Sequence, residues 1–424
     1  MITSTAPRVV ASAEEAIAAA RQYAESIADG VIDRDRAGQV PVAELAAFDA
    51  SGLLAITVPR EHGGAGLPAS VLAEVARCIA FVDPAIAQAP QAHFLFVDVL
   101  AVWGSQEQQR RLFGDVLAGG RLSNGLAERG GKHAQDLRTR LHGSGSGTGS
   151  GSGSGTGTGS GTGTGTGTGS RLEGRKYYCT GAITARWIGV SALDDAGHVV
   201  LAFVERDAPG VKIDEDWNVM GQRATVSGTA TFDDVVVDPA LVVPYESAFA
   251  VPQQIGARAQ LWHAAIQVGI AGGALRDADA FVRDKARPFF EAARAGWADR
   301  AAADPHTIRR YGELATKVAA AQALLASAAA TLDEVTLWPR DAAEAARGSI
   351  AVAQAKAFGS AVAVEVASDL FALSGASAAD ERHDLSRHWR NARTHASHDP
   401  ADWKYHHVGN FLLNHVPPPN HGQI

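Results

Sequence analysis

Apolar residues recur at helical spacing over residues 11–28 (ASAEEAIAAARQYAESIA) and 69–82 (ASVLAEVARCIAFV), and both stretches predict amphipathic helices. SQEQQRRLFGDVLAG opens with Ser105 and carries Gln108 three residues later, the spacing of a capping box that starts a helix. EHGGAGLP (61–68) has no strand before it and reads as a turn between helices, not as a phosphate loop. From about residue 121 the pattern changes. RLEGRKYYCTGA, WIGVSAL, HVVLAFVE and GTATFDDVVV are short runs of β-branched and aromatic residues bounded by Gly, Asp and Pro, and DAGH between two of them marks a hairpin. They predict a small antiparallel β domain. Beyond 240 the helical period returns over about 254–286, 306–337, 341–374 and 400–415, with stops at Pro288, Pro339, Gly375 and the run Pro417–Pro419. These long, Ala-rich segments predict an antiparallel four-helix bundle. The chain thus divides into an N-terminal helical domain (1–120), a β domain (121–240) and a C-terminal helical bundle (241–424), an α+β multidomain architecture.

One stretch fits no period. From Gly143 to Ser170 every odd position is Gly and every even one is Ser or Thr. Such a tract has no apolar surface to bury and is expected to be a disordered loop (143–170) inserted into a β hairpin. Enlarging a loop from about 4 to about 28 residues costs only roughly 1.7 kcal/mol of closure entropy, so the β domain is expected to tolerate it.

Composition narrows the function classes. The chain has 424 residues, 46% of them hydrophobic and 20% charged, as in ordinary soluble proteins. The net charge of −8 and the lack of a Lys/Arg run argue against a nucleic-acid partner. Two cysteines, Cys78 and Cys179, suit a reducing compartment without disulfides. No leader pattern is seen at the N-terminus and no stretch of about 18 apolar residues stands out, so the expectation is a cytoplasmic protein with no membrane partner.

The candidate chemistry lies in Arg387–Pro400, RHWRNARTHASHDP. On a helix, His395 and His398 share one face, with Asp399 beside them. Imidazoles gain and lose protons near neutral pH, so a convergent pair is suited to acid–base work. Eight of the fifteen histidines lie between 383 and 421, yet the chain has no HExxH and no CxxC, and no metal is expected.

Several motifs occur in an order that resembles the acyl-CoA dehydrogenase superfamily: GLLAITVPREHGGAGLP (52–68), LSNGLAERGGKH (122–133), GRKYYCTGA (174–182) and WNVMGQRATVSGTATFDDVVVDP (217–239). The dehydrogenases carry a catalytic glutamate in a Tyr-Glu-Gly-Thr type loop near the C-terminal block, and this chain lacks it. RHWRNARTHASHDP instead resembles the flavin-dependent monooxygenase branch, which includes sulfur-acquisition oxidoreductases and dibenzothiophene-desulfurising enzymes. The resemblance implies the acyl-CoA dehydrogenase fold and a reduced-flavin monooxygenase acting on a small organosulfur molecule. It implies reduced FMN from a partner flavin reductase, or FAD, and a homotetramer. Asn124, Thr180, Trp217, Thr225, Ser227 and Arg393 are then cofactor-binding. His398 is the first choice for the acid–base residue, His395 the second, and His93 lines the same pocket. The rivals are an FAD-dependent acyl-CoA dehydrogenase, whose carboxylate base would have to be Asp399 or Asp369, and a non-catalytic flavin- or acyl-binding protein of the same fold.

Overall fold

The computed structural model describes residues 7–133, 136–143, 169–338 and 341–424. The Gly-Ser/Thr tract expected to be disordered lies, at 144–168, outside the described residues, as does the helix stop expected at Pro339.

Among the described residues seven α-helices come first: α1 (Ala13–Ser26), α2 (Val31–Ala37), α3 (Val42–Ala50), α4 (Ala69–Ala80), α5 (Pro84–Gln88), α6 (Gln91–Trp103) and α7 (Gln106–Leu117). The predicted capping box is present at α7. The Ser105 hydroxyl accepts from Gln108 N, and the Gln108 side chain accepts from Ser105 N. Both orphan donors at that helix start are satisfied reciprocally.

Among the described residues eight strands follow: β1 (Leu122–Gly125), β2 (Arg140–His142), β3 (Ser170–Lys176), β4 (Trp187–Leu193), β5 (Val199–Glu205), β6 (Val211–Asp214), β7 (Thr229–Val237) and β8 (Val242–Val243). They form one sheet ordered β6-β7-β3-β2-β4-β5-β8, with β1 also on β4. The predicted β4–β5 hairpin is present, in register from Trp187↔Glu205 to Leu193↔Val199. The sheet is mixed, not wholly antiparallel as expected: β1 and β2 both pair parallel with β4. Parallel partners are set by tertiary crossovers, which local patterning does not encode.

The chain then returns to helix with α8 (Ile255–Asp284), α9 (Phe290–Arg294), α10 (Pro305–Glu334), α11 (Ala342–Ser374), α12 (Ser386–Ala396) and α13 (Ala401–Asn414). Helices α8, α10 and α11 pack on one another, and α4 from the N-terminal part packs against α8 and α10. The expected fourth bundle helix, α13, lies on α11 and buries only Lys404; Trp403, Tyr405, Leu412 and Leu413 stay exposed.

Two cores result. The larger runs through the N- and C-terminal helices together and reaches Trp187 and Phe203 on the sheet. The smaller holds the sheet's own strands, with Leu172, Ile188, Val190 and Phe232. Gly189 marks where sheet and helices meet: a Cβ there would lie 2.7 Å from the Phe96 ring. Among the described residues three stretches, Pro84–Trp103, Pro305–Glu334 and Ala342–Ser374, reach membrane-span apolarity by length and composition, contrary to the expectation from the sequence. In the first and third, most of the apolar window (78% and 56%) lies inside the protein, where the larger core requires it.

Candidate functional site

The site grows from two clusters joined by one helix. The first lies in the turns after β3 and before β7. Ser227 Oγ is 2.8 Å from both Thr180 Oγ1 and Thr225 Oγ1, and Thr225 Oγ1 donates to Gln222 O at 2.9 Å. Trp217 Nε1 donates to the same carbonyl at 2.9 Å, and the indole meets Tyr178 edge-on at 5.9 Å. Asn124 Nδ2 donates to Tyr178 O at 3.1 Å. The structure thus brings together five residues that span 103 positions of sequence, from Asn124 to Ser227: Asn124, Thr180, Trp217, Thr225 and Ser227. The turns that present them are strained. Tyr178, Gln222 and Val226 have φ of 57°, 55° and 47°. A β-branched residue in the left-handed region is costly, and such strain clusters at ligand-binding turns.

The second cluster is imidazole and charge. His395 on α12 is buried, with Nε2 3.1 Å from His263 Nδ1 on α8 and 3.2 Å from Gln88 Oε1 on α5. The His263 ring also lies 4.2 Å from the His398 ring. His398 is not on the helical face expected for it. Helix α12 ends at Ala396, where Ser397 N caps the carbonyls of Thr394 and His395, and His398 sits in the following turn. Its Nδ1 is 2.9 Å from Asp399 Oδ1, and its side chain is 42% exposed, so it forms the rim of the array. Asp399 also bonds Lys356 on α11, and Lys404 on α13 lies 2.7 Å away. Burial alone would raise the Asp399 carboxyl, but Lys356, His398 and Lys404 outweigh it and hold it far below the usual range. Lys356 is itself lowered to about 8, by burial first, despite Asp399, with the Lys404 charge adding to the fall. The carboxylate gains two cationic partners, while Lys356 loses water on burial and shares its one counterion with a second ammonium group. Burial lowers His395 and His263, and His398 and Lys356 lower them further.

Helix α12 links the clusters. Asn391 Oδ1 accepts from Gln222 N, and Arg390 donates to Met220 O at 3.1 Å. Between them Gly221 packs so closely on α12 that a Cβ would stand 2.1 Å from Arg390 O. Arg390 also pairs with Asp35 at 2.6 Å and Asp384 at 2.8 Å, while Arg387 and His388 both grip Asp277 on α8.

Two predicted residues stand apart. His93 is fully buried, with Nε2 2.8 Å from Leu54 O and Nδ1 accepting from Leu122 N at 3.2 Å. Burial lowers it to about 4. Both nitrogens are spent on backbone, so its geometry is that of a staple fixing the start of β1 two residues before Asn124. Arg393 is exposed on α12, and its guanidinium has no partner among the described residues. The carboxylates that a dehydrogenase would need are both engaged: Asp399 in its ion cluster, Asp369 half-buried on α11 beside Arg310 at 3.4 Å.

Sequence reading missed His263, Gln88, Gln222 and Lys356. A signal did exist for His263. Gln260, His263 and Gln267 form a polar stripe at helical spacing on α8, in the stretch 255–274 that is otherwise apolar apart from Arg258. An open depression of about 610 Å³, lined by Gln39, Val42, Asp49, Thr184, Arg206 and Glu215, includes none of the predicted site residues.

The first cluster fits a flavin. An isoalloxazine needs short polar groups and backbone on rigid turns, and the hydroxyl chain supplies them. Gln222 adds a sign of its own: both amide atoms are buried and lack a partner among the described residues. Helices before and after a mixed sheet, with a hydroxyl-lined turn beside the last bundle, define the acyl-CoA dehydrogenase class of flavoprotein folds. The chain belongs to the acyl-CoA dehydrogenase superfamily: family models for the acyl-CoA dehydrogenase N-terminal domain match residues 11–120, and for its C-terminal domain residues 261–403. It is 31% identical over 421 residues to a dibenzothiophene monooxygenase of Rhodococcus erythropolis, covering 95% of this chain and 94% of that one. It is 30% identical to a probable FMNH2-dependent monooxygenase, SfnC, of Pseudomonas putida, covering 94% and 95%. The FMN-bound structure of TdsC from Paenibacillus sp. A11-2 superposes with a TM-score of 0.85 at 29% identity, over 96% of this chain and all of that one.

Proposed function

We propose that this protein is a flavin-dependent oxidoreductase of the monooxygenase branch, which uses reduced FMN from a separate flavin reductase to oxygenate a small organosulfur compound. The observation that carries the reading is the array of buried His263 and His395 with His398 at its rim, where the carboxylate among the described residues, Asp399, is held by Lys356 and Lys404. The relatives named for dibenzothiophene and for FMNH2 support the substrate class and the cofactor, with FAD the alternative that the wider family allows. Abstraction of a proton from an acyl thioester needs a carboxylate base poised near its working pH. Asp399, held far below that range by two lysines, is unsuited to the task.

Bound reduced flavin supplies the electrons and the reactivity toward dioxygen. The residues of this chain do the rest. Thr180, Thr225 and Ser227 orient the ring through their hydroxyl chain, Trp217 and Asn124 hold the turns that carry them, and Arg393 offers a free cation to the phosphate. His398, supported by Asp399, gives and takes the proton at Nε2, and His395 lines the interior behind it. The domains are taken as 1–120, 121–240 and 241–424. The exposed apolar residues of α13 support assembly as a homo-oligomer, a tetramer in this reading. A cytoplasmic location suits the supply of reduced flavin by a diffusing reductase.

The test is a screen of sulfides, sulfoxides and sulfones with a flavin reductase, NADH and air. Sulfur oxygenation dependent on reduced FMN is the expected result. Anaerobic bleaching of bound FAD by an acyl-CoA, with no oxygenated product, would establish the dehydrogenase instead. Neither response would leave a binding protein.

A further inference from the structure

The interior histidine, His395, has an unusual set of neighbours. Its Nε2 faces two groups at once, Gln88 Oε1 at 3.2 Å and His263 Nδ1 at 3.1 Å. A carboxamide oxygen only accepts, so Nε2 carries the hydrogen. His263 Nδ1 then presents its lone pair to the same hydrogen. A neutral imidazole has one N–H, so His395 Nδ1 is a bare acceptor, and it is buried with no partner among the described residues.

His263 touches the other histidine as well. Its ring stacks against His398 at 4.2 Å with a 37° tilt. One buried side chain on α8 therefore contacts both imidazoles contributed by the α12 segment. Of the three, His398 alone is bonded to a carboxylate.

We propose that His263 is a third member of the acid–base centre, a positioning residue that locks His395 in the tautomer with its proton on Nε2 and Nδ1 open as an acceptor. The catalytic consequence rests on the monooxygenase reading above; the tautomer itself does not. The surroundings favour this role. Lys356 from α11, Lys404 from α13, and His398 and Asp399 after α12 are the charged and titratable groups around the array, and cations outnumber the one carboxylate. Burial, then His398 and Lys356, hold His263 well below the usual imidazole range, so near neutral pH it acts through a lone pair and carries no charge of its own. Without that second acceptor, Gln88 is free to turn its NH2 toward His395 and invert the tautomer. A wrong tautomer places the acceptor and the donor on opposite sides of the ring.

Two variants separate positioning from packing. His263→Asn sets an amide where Nδ1 stood and loses the ring. His263→Phe keeps the ring and loses the lone pair. The first readout is solid-state 15N NMR of histidine-labelled protein without flavin, with the His395 signals assigned by their loss in His395→Gln. The second is product formed per oxygen consumed with reduced FMN. The expected results are a single Nε2–H tautomer of His395 in the native protein and in His263→Asn, and a mixture in His263→Phe. Coupling falls about tenfold in His263→Phe, the scale of a lost orienting partner, and much less in His263→Asn. FMN affinity is unchanged in both. A native His395 with its proton on Nδ1 overturns the proposal. So does a His263→Phe variant with the native tautomer, or the reverse ranking, in which Phe is harmless and Asn harmful. If His263→Phe does not fold, the native spectrum and the Asn variant decide. If no oxygenation is found with any substrate, the tautomer data stand alone and the failure belongs to the functional reading.

Discussion

The hydroxyl turns of the β domain and the imidazole array of the bundle solve different problems with different materials. The turns use neutral hydroxyls, an indole and an amide, and they store strain in the backbone at Tyr178, Gln222 and Val226. The array uses regular helices and stores its cost in buried charge, with one carboxylate between two lysines. Neutral groups that change little on binding suit a cofactor that arrives and leaves. Groups whose charge is finely balanced suit proton transfer, because a small shift in their surroundings moves a proton. Helix α12 touches both through Asn391 and His395, so damage to one cluster need not spare the other.

The sharpest way to break the contrast is at the rim. His398→Ala removes the exposed member of the array and leaves the hydroxyl turns alone. The rate of productive oxygenation is expected to fall about 10²–10⁴-fold, the usual worth of an acid–base group, with oxygen reduced to peroxide in its place. Reduced-FMN affinity and the circular dichroism spectrum stay native. Normal coupling in the folded variant would remove His398 from the role, and loss only in His395→Ala would transfer it.

A second break goes to the charge itself. Asp399→Asn leaves Lys356 and Lys404 buried without their counterion. Breaking a buried pair from one side costs about 3–5 kcal/mol, to be read from urea unfolding at pH 7. The sign of the pH dependence follows from the shifts. The folded Asp399 carboxyl titrates below its unfolded value, so its contribution is present above about pH 4 and is lost as pH falls through the acid range. Lys356, lowered to about 8, binds fewer protons folded than unfolded above that pH, so stability rises from about pH 8 toward 10. The variant is expected to lose the Asp399 part of the acid-side slope. An unchanged urea midpoint would mean that the cluster contributes nothing net.

The neutral cluster is expected to respond more gently. Thr180→Val keeps the shape and removes the hydroxyl that bonds Ser227. A lost hydrogen bond to a buried partner costs about 1–3 kcal/mol, so FMN affinity should fall about tenfold in fluorescence titration, with little change in urea stability. Native affinity would reduce Thr180 to an ordinary turn residue.

What the sequence revealed follows the same division. Local chemistry was legible: the capping box at Ser105 and Gln108, the β4–β5 hairpin and the long helices α8, α10 and α11 appear close to where their patterns placed them. The residues expected to hold the cofactor were placed through the family's motif order, and the structure brings five of them, Asn124, Thr180, Trp217, Thr225 and Ser227, into one cluster. The array was half legible. RHWRNARTHASHDP announced His395 and His398, but His263 lies 132 residues from His395 and Gln88 lies 307 away. Only tertiary packing joins them, and the polar stripe on α8 was the one local trace. The parallel β1–β4 pairing was hidden for the same reason. His93 was expected in the pocket from the family resemblance, and the structure engages both its nitrogens with backbone.

The smallest expected effect tests whether anything beyond the two clusters and their helix matters to them. Strands β2 and β3 flank the Gly-Ser/Thr tract and pair directly, with Arg140↔Glu173, Leu141↔Leu172 and His142↔Arg171 in register. That ladder is anchored again by β3 on β7, so it does not depend on what joins its ends. Replacing Gly143–Ser170 by a two-residue turn, with Ser170 of β3 supplied by the new turn, removes loop-closure entropy worth roughly 2.3 kcal/mol in favour of the folded state, offset in part by loss of the exposed Gly143 N–Asp195 hydrogen bond. The expected outcome is a urea midpoint equal to or slightly above the native one, with FMN affinity and coupling unchanged. The closure must respect the spacing of paired strands, about 5 Å, so a two-residue Asn-Gly turn is the suitable choice. Loss of flavin affinity in a well-folded variant of this kind would make the tract a third part of the site, and the contrast between two clusters would no longer describe it.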